Sequence, residues 1–298
     1  MTHPTPTQNL ERGLGDVIRA RLPGPLAEFV MFGLKQGWAC LFGALMLAGL
    51  ILSDAIWSDT WALARYDALV LYAIALQVLF LACKLETIAE ARVILLFHIT
   101  GTAMEIFKVQ AGSWAYPEEA LLKLWGVPLF SGFMYAAVGS YMARVIRIFD
   151  MRFAPFPPFW VTALLGAAIY VNFFAHHFLP DIRVILFAAT IVLFIRTRIW
   201  FRIGTRDYWM PLPLAAFFTS FFLWVAENVG THTGTWVYAG STGLDWVSLS
   251  KLGSWYLLLY VSFVTVTLVM RDALYPDPLK AGPATPEAPV PARPHQAD

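Results

Sequence analysis

The sequence predicts an all-α membrane protein with about eight transmembrane helices in two parallel four-helix repeats. Three observations support this prediction. The 298 residues are 58% hydrophobic and only 14% charged, whereas soluble domains are about 25% charged. The chain contains eight apolar segments of helical length. A spaced motif occurs twice, and each copy begins in an apolar segment and ends where that segment ends.

The eight apolar segments are each close to the ~20 residues that a helix needs to cross a bilayer. A helix satisfies its own backbone hydrogen bonds, which lipid cannot do. We therefore expect spans at residues 37–54, 67–85, 91–110, 124–144, 158–178, 182–199, 209–229 and 252–271.

The distribution of basic residues predicts the orientation. With the N-terminus inside, the inner segments hold sixteen Lys and Arg residues, and the outer segments hold five. This bias satisfies the positive-inside rule. The outer five are Arg65, Lys108, Lys123, Arg183 and Lys251. We expect a multi-pass protein of the bacterial cytoplasmic (inner) membrane, with both termini in the cytoplasm and the lipid bilayer as its surroundings.

Polarity divides the chain into three regions. Residues 1–35 form a polar cytoplasmic leader, which lacks the apolar core of a signal peptide. Residues 36–275 form the membrane domain, with repeats at 36–150 and 151–275. Residues 276–298 are rich in proline and poor in apolar mass, so we expect them to be disordered.

The leader admits two interpretations. It is either a loosely ordered cytoplasmic segment or a short helix lying on the membrane. In the helix, one side would carry the apolar residues Leu14, Val17, Ile18 and Leu22.

Several classes of function are not indicated. A net charge of +1 points neither to nucleic acid nor to an acidic ligand. Cys40 and Cys83 are too few for a disulfide framework or a zinc site. The chain has no phosphate loop, dinucleotide fingerprint, serine elbow or haem attachment motif. We therefore expect no cofactor, and the sequence leaves the oligomeric state open.

The repeated motif has the form Glu-x6-Gly-x-Trp-x-Tyr. Its two copies are Glu105, Gly112, Trp114 and Tyr116, and Glu227, Gly234, Trp236 and Tyr238. The offset is 122 residues at all four positions. Because four spans per half is an even number, the two halves would run in the same direction through the bilayer.

Weaker matches support the repeat. Tyr135 matches Tyr256 at an offset of 121, and Asp67 matches Asp181 at an offset of 114. The shorter offset implies about eight extra residues between the sixth and seventh spans, and we place them at Gly204–Pro211.

The two motif carboxylates are the leading candidates for chemistry. An ionised carboxylate in hydrocarbon is costly, so Glu105 and Glu227 should face the bundle interior or a wet cavity. A carboxylic acid shielded from water can act as a general acid near neutral pH. We predict catalytic roles for Glu105, Glu227 and, in the acidic turn after the first motif, Glu118.

Neighbouring aromatic and histidine residues would bind the substrate. Aromatic faces stabilise a cation, and a tyrosine hydroxyl can donate a hydrogen bond. His98 and Trp224 occupy helical positions that share a face with the motif carboxylates. The predicted substrate-binding residues are His98, Trp114, Tyr116, His176, Trp224, Trp236 and Tyr238.

Other interpretations of these residues stay open. Glu105 could pair with Lys108, Glu227 could bond a neighbouring helix, and the motif aromatics could anchor the membrane boundary. A His/Glu metal site is a further alternative. Its ligands would come from His98, His176, His177, Glu105 and Glu227. We expect no metal, because these histidines lack the clustered spacing of membrane di-iron oxygenases.

Two resemblances follow from these segments. The stretch from His98 to Arg144 and the later WVAENVGTHTGTWVYAG resemble the YoaT-like bacterial membrane family, a domain of unknown function. That resemblance covers about residues 28 to 274 and implies an integral membrane protein.

The second, fainter resemblance is to CruF-type carotenoid hydratases and heterodimer-type lycopene cyclases. Gly126-Val127-Pro128 looks like a hydratase segment, and Pro117-Glu118-Glu119 looks like the acidic turn of the cyclases. In those enzymes carboxylates protonate a polyene without redox change. The resemblance implies the same role for Glu105, Glu118 and Glu227.

Three functions remain open from the sequence. The first is a membrane enzyme doing acid–base chemistry (hydratase-, cyclase- or isomerase-like) on a lipid-soluble, isoprenoid-like small molecule. The second is a transporter or binding protein for a small solute. The third is a structural membrane protein in which the motif serves only as an anchor.

Overall fold

The computed structural model describes residues 6–58, 60–176, 178–204, 206–239 and 246–277. Within these residues the chain is mainly helical, with ten α-helices and a 3-10 turn at Arg271–Ala273. The helices are α1 (Pro6–Arg21), α2 (Gly24–Ala39), α3 (Leu41–Ile56), α4 (Arg65–Ala82), α5 (Ile88–Gln110), α6 (Phe130–Ile148), α7 (Phe159–Ala175), α8 (Arg183–Phe194), α9 (Leu212–His232) and α10 (Leu249–Val269).

In the described part of the chain, short strands connect the helices and pair in three antiparallel sheets. One sheet pairs β1 with β7, one pairs β2 with β3, and one has the order β4-β5-β6. The strands are β1 (Trp114–Ala115), β2 (Lys123–Leu124), β3 (Val127–Pro128), β4 (Arg152–Ala154), β5 (Arg198–Ile203), β6 (Arg206–Pro211) and β7 (Val237–Tyr238).

The described helices are compatible with a membrane protein, but fewer of them than expected have the length and composition of a span. By length and composition, four of the described helices can cross a membrane: α4, α5, α9 and α10. A fifth span arises if α2 and α3, which are bent by 65° at their junction, count as one. Helices α7 and α8 are apolar but shorter, and α6 carries Arg144 and Arg147. Each of the eight predicted segments nevertheless overlaps most of one helix, from α3 to α10, and the first also includes the end of α2.

The fourth and sixth predicted spans differ most from the helices in their boundaries. The fourth was expected to begin at residue 124, but β2 and β3 form a hairpin there, and α6 begins at Phe130. Trp125 and Gly126 make its turn with positive φ angles of 49° and 84°, a conformation that a helix excludes. The sixth was expected to reach residue 199, but α8 ends at Phe194 and β5 follows. Strand β6 of the β5–β6 hairpin covers most of Gly204–Pro211, the segment to which we assigned the extra residues between the sixth and seventh spans.

The predicted leader is helical where it is described, because α1 and most of α2 lie within residues 1–35. Leu14 and Val17 of α1 are 46% and 49% exposed, which is compatible with an apolar side facing lipid. The predicted disordered tail falls almost entirely on residues 278–298, which lie outside the described residues.

Glycines allow α5 and α6 to pack closely. A Cβ atom on Gly101 would lie 2.6 Å from the Cβ and 2.7 Å from the Cγ of Tyr135. On α6, a Cβ atom on Gly132 would overlap the side chains of Thr102 and His98. Backbones approach this closely in membrane helices where small residues line the interface. The contact fixes Tyr135 beside α5, one helical turn from Glu105.

A buried ion pair joins the other end of these helices. Arg144 and Glu86 have fully buried side chains, and Arg144 Nη2 lies 3.1 Å from Glu86 Oε1. Ser140 and Gln77 also donate hydrogen bonds to Glu86, at 2.7 and 2.6 Å. Arg144 donates a further bond to the carbonyl of Trp38 at 3.2 Å. This network ties α2, α4 and α6 to the α4–α5 connection.

Candidate functional site

A cavity of about 450 Å³ lies among α5, α6, α7, α9 and α10, beside the turns that follow α5 and α9. This volume is within the ordinary range for small-molecule sites. Seven of the residues predicted from the sequence lie in its wall. They are Glu105, Trp114, Tyr116, His176, Glu227, Trp236 and Tyr238.

Three donors hold the carboxylate of Glu105, which is only 3% exposed. The indole N–H of Trp114 and the hydroxyl of Tyr116 both donate to Oε2 at 2.8 Å. The hydroxyl of Tyr135 donates to Oε1 at 2.6 Å. Burial, together with the nearby Glu105 carboxylate, raises the pKa of Tyr116 far above its ordinary value. This hydroxyl therefore keeps its proton and remains a donor.

The carboxylate of Glu227 is held in a similar way. Tyr238 donates its hydroxyl to Oε1, and Trp255 of α10 donates its indole N–H to Oε2. In both motif copies the tyrosine eleven residues after the glutamate is thus a donor to that glutamate. Each glutamate also accepts a bond from the helix that follows its motif, from Tyr135 for Glu105 and from Trp255 for Glu227. The ring centroids of Tyr135 and Trp255 are 6.3 Å apart, so the donors of the two glutamates lie next to each other.

The two motif turns pair directly with each other. β1 and β7 are antiparallel, with Trp114 opposite Tyr238 and Ala115 opposite Val237. The rings of Trp114 and Tyr238 meet edge to face at 5.8 Å. Trp236 has a different role from Trp114, because its ring is buried beside Tyr116 at 6.5 Å and no bond to Glu227 is described. A Cβ atom on Gly230 would overlap that ring.

Three basic side chains line the same cavity. Lys251 Nζ lies 3.9 Å from the ring centroid of Tyr238 and 5.5 Å from that of Trp114. Lys108 Nζ lies 4.0 Å from the ring centroid of Phe173. Arg183 lies in the wall and bonds Asp181, with Nε 2.5 Å from Oδ2. Burial would raise the pKa of Asp181, but bonds from Asn172 and Arg183 hold it below its ordinary range.

Three predicted site residues lie outside the cavity wall. Glu118 forms an ion pair with Arg65, at 2.5 Å between Oε1 and Nη2. His98 packs against the ring of Phe133 at 4.5 Å. Trp224 donates its indole N–H to the carbonyl of Val247 at 3.0 Å. Sharing a helix face with a carboxylate did not place His98 or Trp224 in the cavity, because neighbouring helices cover each turn differently.

Two alternative interpretations of the motif can now be compared with the geometry. The ion pairs described for the chain do not include one between Glu105 and Lys108, and Glu105 instead accepts bonds from aromatic side chains. The described residues also contain no group of three or more His, Cys, Asp and Glu side chains that could hold a metal ion. His177, one of the proposed ligands, lies outside the described residues.

Several wall residues were not predicted from the sequence. Tyr135 appeared only as a weak match in the repeat, aligned with Tyr256, whereas Trp255 is the residue that bonds the second glutamate. Lys251 and Arg183 were recognised only as outer basic residues. Their convergence depends on how α8 packs against α7 and α10, and how α10 packs against α5, and no local sequence pattern predicts that packing.

The matches with known proteins can be set beside this geometry. A family model described as "Protein of unknown function (DUF817)" matches residues 28–263. The chain belongs to this family. It is also 42% identical over 258 residues to "Uncharacterized protein YoaT" of Bacillus subtilis (strain 168). That alignment covers 86% of this chain and 96% of YoaT. No solved structure matches the chain.

The DUF817 match confirms the resemblance to a YoaT-like family of unknown function. Neither the family model nor YoaT carries a description that names a carotenoid enzyme. The resemblance to carotenoid hydratases and lycopene cyclases therefore stays a prediction.

Proposed function

We propose that this DUF817 protein is a multi-pass membrane enzyme that carries out acid–base chemistry on a lipid-soluble small molecule of isoprenoid type. The observation that carries the proposal is that Glu105 and Glu227 line one cavity, each buried and each held by aromatic donors. Ionisable residues inside a membrane bundle generally mark a functional pathway or site. The aromatic walls suit an apolar substrate.

The proposed chemistry uses the two carboxyl groups in complementary states. The protonated one transfers its proton to a carbon–carbon double bond and becomes a carboxylate. The ionised one removes a proton from a carbon next to the resulting cation, and a new double bond forms. The net reaction is an isomerisation or cyclisation without loss of electrons. The faces of Trp114, Tyr116, Trp236 and Tyr238 would stabilise the intermediate cation.

The membrane arrangement that we propose is eight helices in two parallel repeats, within the cytoplasmic (inner) membrane and with both termini inside. The shared tyrosine–glutamate bond in the two motif copies and the pairing of β1 with β7 support the repeat. Reporter fusions at residues 1, 150 and 275 test the topology, since all three should report the cytoplasmic side.

The function is tested by lipid extraction and mass spectrometry of cells with and without the protein. Cells with the wild-type chain should contain a product that is absent from cells carrying Glu105→Gln or Glu227→Gln. Glutamine keeps an oxygen acceptor for the aromatic donors, so both variants should be expressed normally. Glu119→Gln is the matched control, because Glu119 is an exposed carboxylate in the turn after the first motif.

An unchanged lipid profile in all strains would contradict the enzyme. If the two variants instead lost uptake of a small solute, the cavity would belong to a transporter. Loss of expression with either variant would indicate a structural role for the carboxylate.

A further inference from the structure

The outer basic residues are concentrated at the cavity. The positive-inside bias leaves five Lys and Arg residues for the predicted outer side, and three of them line this one cavity: Lys108, Arg183 and Lys251. Lys108 is close enough to be affected by the positive charges of Arg183 and Lys251 and by the negative charge of Asp181. Three basic side chains at one cavity offer several charged donors to an anionic group, and such charge-assisted bonds are the strong ones.

The acidic groups already present contact one of these cations and the aromatic donors. Asp181 is bonded to Arg183. The oxygens of Glu105 and Glu227 accept bonds from tyrosine hydroxyls and indole N–H groups. Among the ion pairs of the described residues, none joins Lys251 to either of these glutamates within 4.0 Å. Lys251 Nζ lies over the rings of Tyr238 and Trp114, and the charges of Lys251 and Glu227 affect each other across the cavity.

The cavity also has an apolar side that continues between the helices. Five wall residues are shared with a smaller cavity of about 50 Å³. They are Tyr135, Val138, Leu223, Trp255 and Leu258. The smaller cavity is otherwise lined mainly by side chains of α5 and α10, including Phe97 and Met104. A ligand can therefore place a polar end among the basic residues and an apolar chain along this side.

We infer that the cavity binds an amphiphile with an anionic head group, a carboxylate or a phosphate, held by Lys108, Arg183 and Lys251. The apolar chain lies along Leu223 and Leu258 toward the smaller cavity. This inference rests on the proposed function and narrows its substrate to an acidic lipid. It also shows why the net charge of +1 was uninformative, since the balance of the whole chain conceals a local cluster of cations.

The test measures binding to the full-length chain in nanodiscs of phosphatidylcholine. The probes are dodecyl phosphate, 1-dodecanol and inorganic phosphate. Their binding is measured by the change in fluorescence of the cavity tryptophans. Dodecyl phosphate should bind more tightly than either of the other two. Partitioning of a probe into the disc is the same for every variant, so it cancels when variants are compared.

Lys251→Gln and Lys108→Gln should each weaken dodecyl phosphate binding by about tenfold or more, the usual effect of losing a hydrogen bond to a charged group. Binding of dodecanol should not change. Lys251→Arg should retain most of the affinity. Arg92→Gln is the matched control, since Arg92 is an exposed basic residue on α5, about 24 Å along the helix from Lys108.

Equal affinity for dodecyl phosphate and dodecanol would overturn the inference. It would also be overturned if Arg92→Gln reduced the affinity for dodecyl phosphate as much as Lys251→Gln does. Tight binding of inorganic phosphate alone would replace the amphiphile with a free anion. The measurement requires no turnover, so normal binding with an unchanged lipid profile in cells would refute the enzyme and leave the binding site standing.

Discussion

Replacing Gly101 with alanine should damage both the fold and the candidate site. The added Cβ would lie 2.6 to 2.9 Å from the Cβ, Cγ and Cδ2 atoms of Tyr135, whereas carbon atoms pack at about 3.5–4.0 Å. The atoms approached are at the base of the side chain, so a rotamer change cannot relieve the overlap. α5 and α6 must separate, and the 2.6 Å bond from Tyr135 to Glu105 must lengthen.

The cost of Gly101→Ala follows from three contributions. Overpacking costs about 1–3 kcal/mol, and loss of a bond to a charged group costs about 1.5–3 kcal/mol. The higher helix propensity of alanine returns about 1 kcal/mol. The net free energy of unfolding should fall by about 1.5–5 kcal/mol, which lowers the melting temperature on the order of 10 °C.

The assay is thermal unfolding of the purified protein in a mild detergent, followed by circular dichroism. Gly166→Ala is the matched control, because a Cβ there would meet Val264 at an ordinary 3.5–3.6 Å. It should leave the melting temperature unchanged or slightly higher. If Gly101→Ala were as stable as Gly166→Ala, the close packing of α5 on α6 and the placement of Tyr135 would both be wrong.

Two further predictions concern other parts of the fold. Glu86→Gln leaves the fully buried Arg144 without its counterion, so the free energy of unfolding should fall by about 3 kcal/mol in the same assay; an unchanged melting temperature would contradict the buried pair. Burial would raise the pKa of Asp207, but bonding to Arg202 and the charges around it hold that pKa below its ordinary range. A carboxylate whose pKa is lower in the folded than in the unfolded chain stabilises the fold at pH values above the unfolded-state pKa. That stabilisation is lost as the pH falls through the folded-state pKa. Hydrogen exchange in the β5–β6 hairpin should therefore accelerate below about pH 4, and Asp207→Asn should remove this dependence.

Hydropathy located the helices but not all of their ends. Each apolar segment overlaps a helix. A helix satisfies its own backbone hydrogen bonds, and its apolar side chains can be buried or face lipid. The predicted boundaries of the fourth and sixth segments are wrong because β2 and β3 precede α6, and β5 follows α8. Strand pairing depends on a partner elsewhere in the chain, and a hydropathy window does not detect it. The bend between α2 and α3 was missed for a similar reason.

The site was predictable to the extent that the repeat reports it. Glu105 and Glu227, the two carboxylates of the motif, lie in one cavity wall together with the aromatic residues that follow them. The donors from the next helix, Tyr135 and Trp255, could not be assigned, because α6 and α10 present different residue types at the corresponding place. Glu118 lies outside the cavity wall and pairs with Arg65, and an acidic turn in the sequence does not by itself show where it packs.

The most direct test of the shared cavity is a cross-link between the two motif turns. Ala115 and Val237 are directly opposed in the β1–β7 pair, where Cα atoms lie about 4.5–5.5 Å apart, within reach of a disulfide. Ala115→Cys and Val237→Cys are combined in a chain carrying Cys40→Ser and Cys83→Ser, oxidised in the membrane, and examined by peptide mass spectrometry. We expect a linked peptide in the double variant and none in either single variant. Two free thiols that label fully and never join would show that the two glutamates do not face a common site.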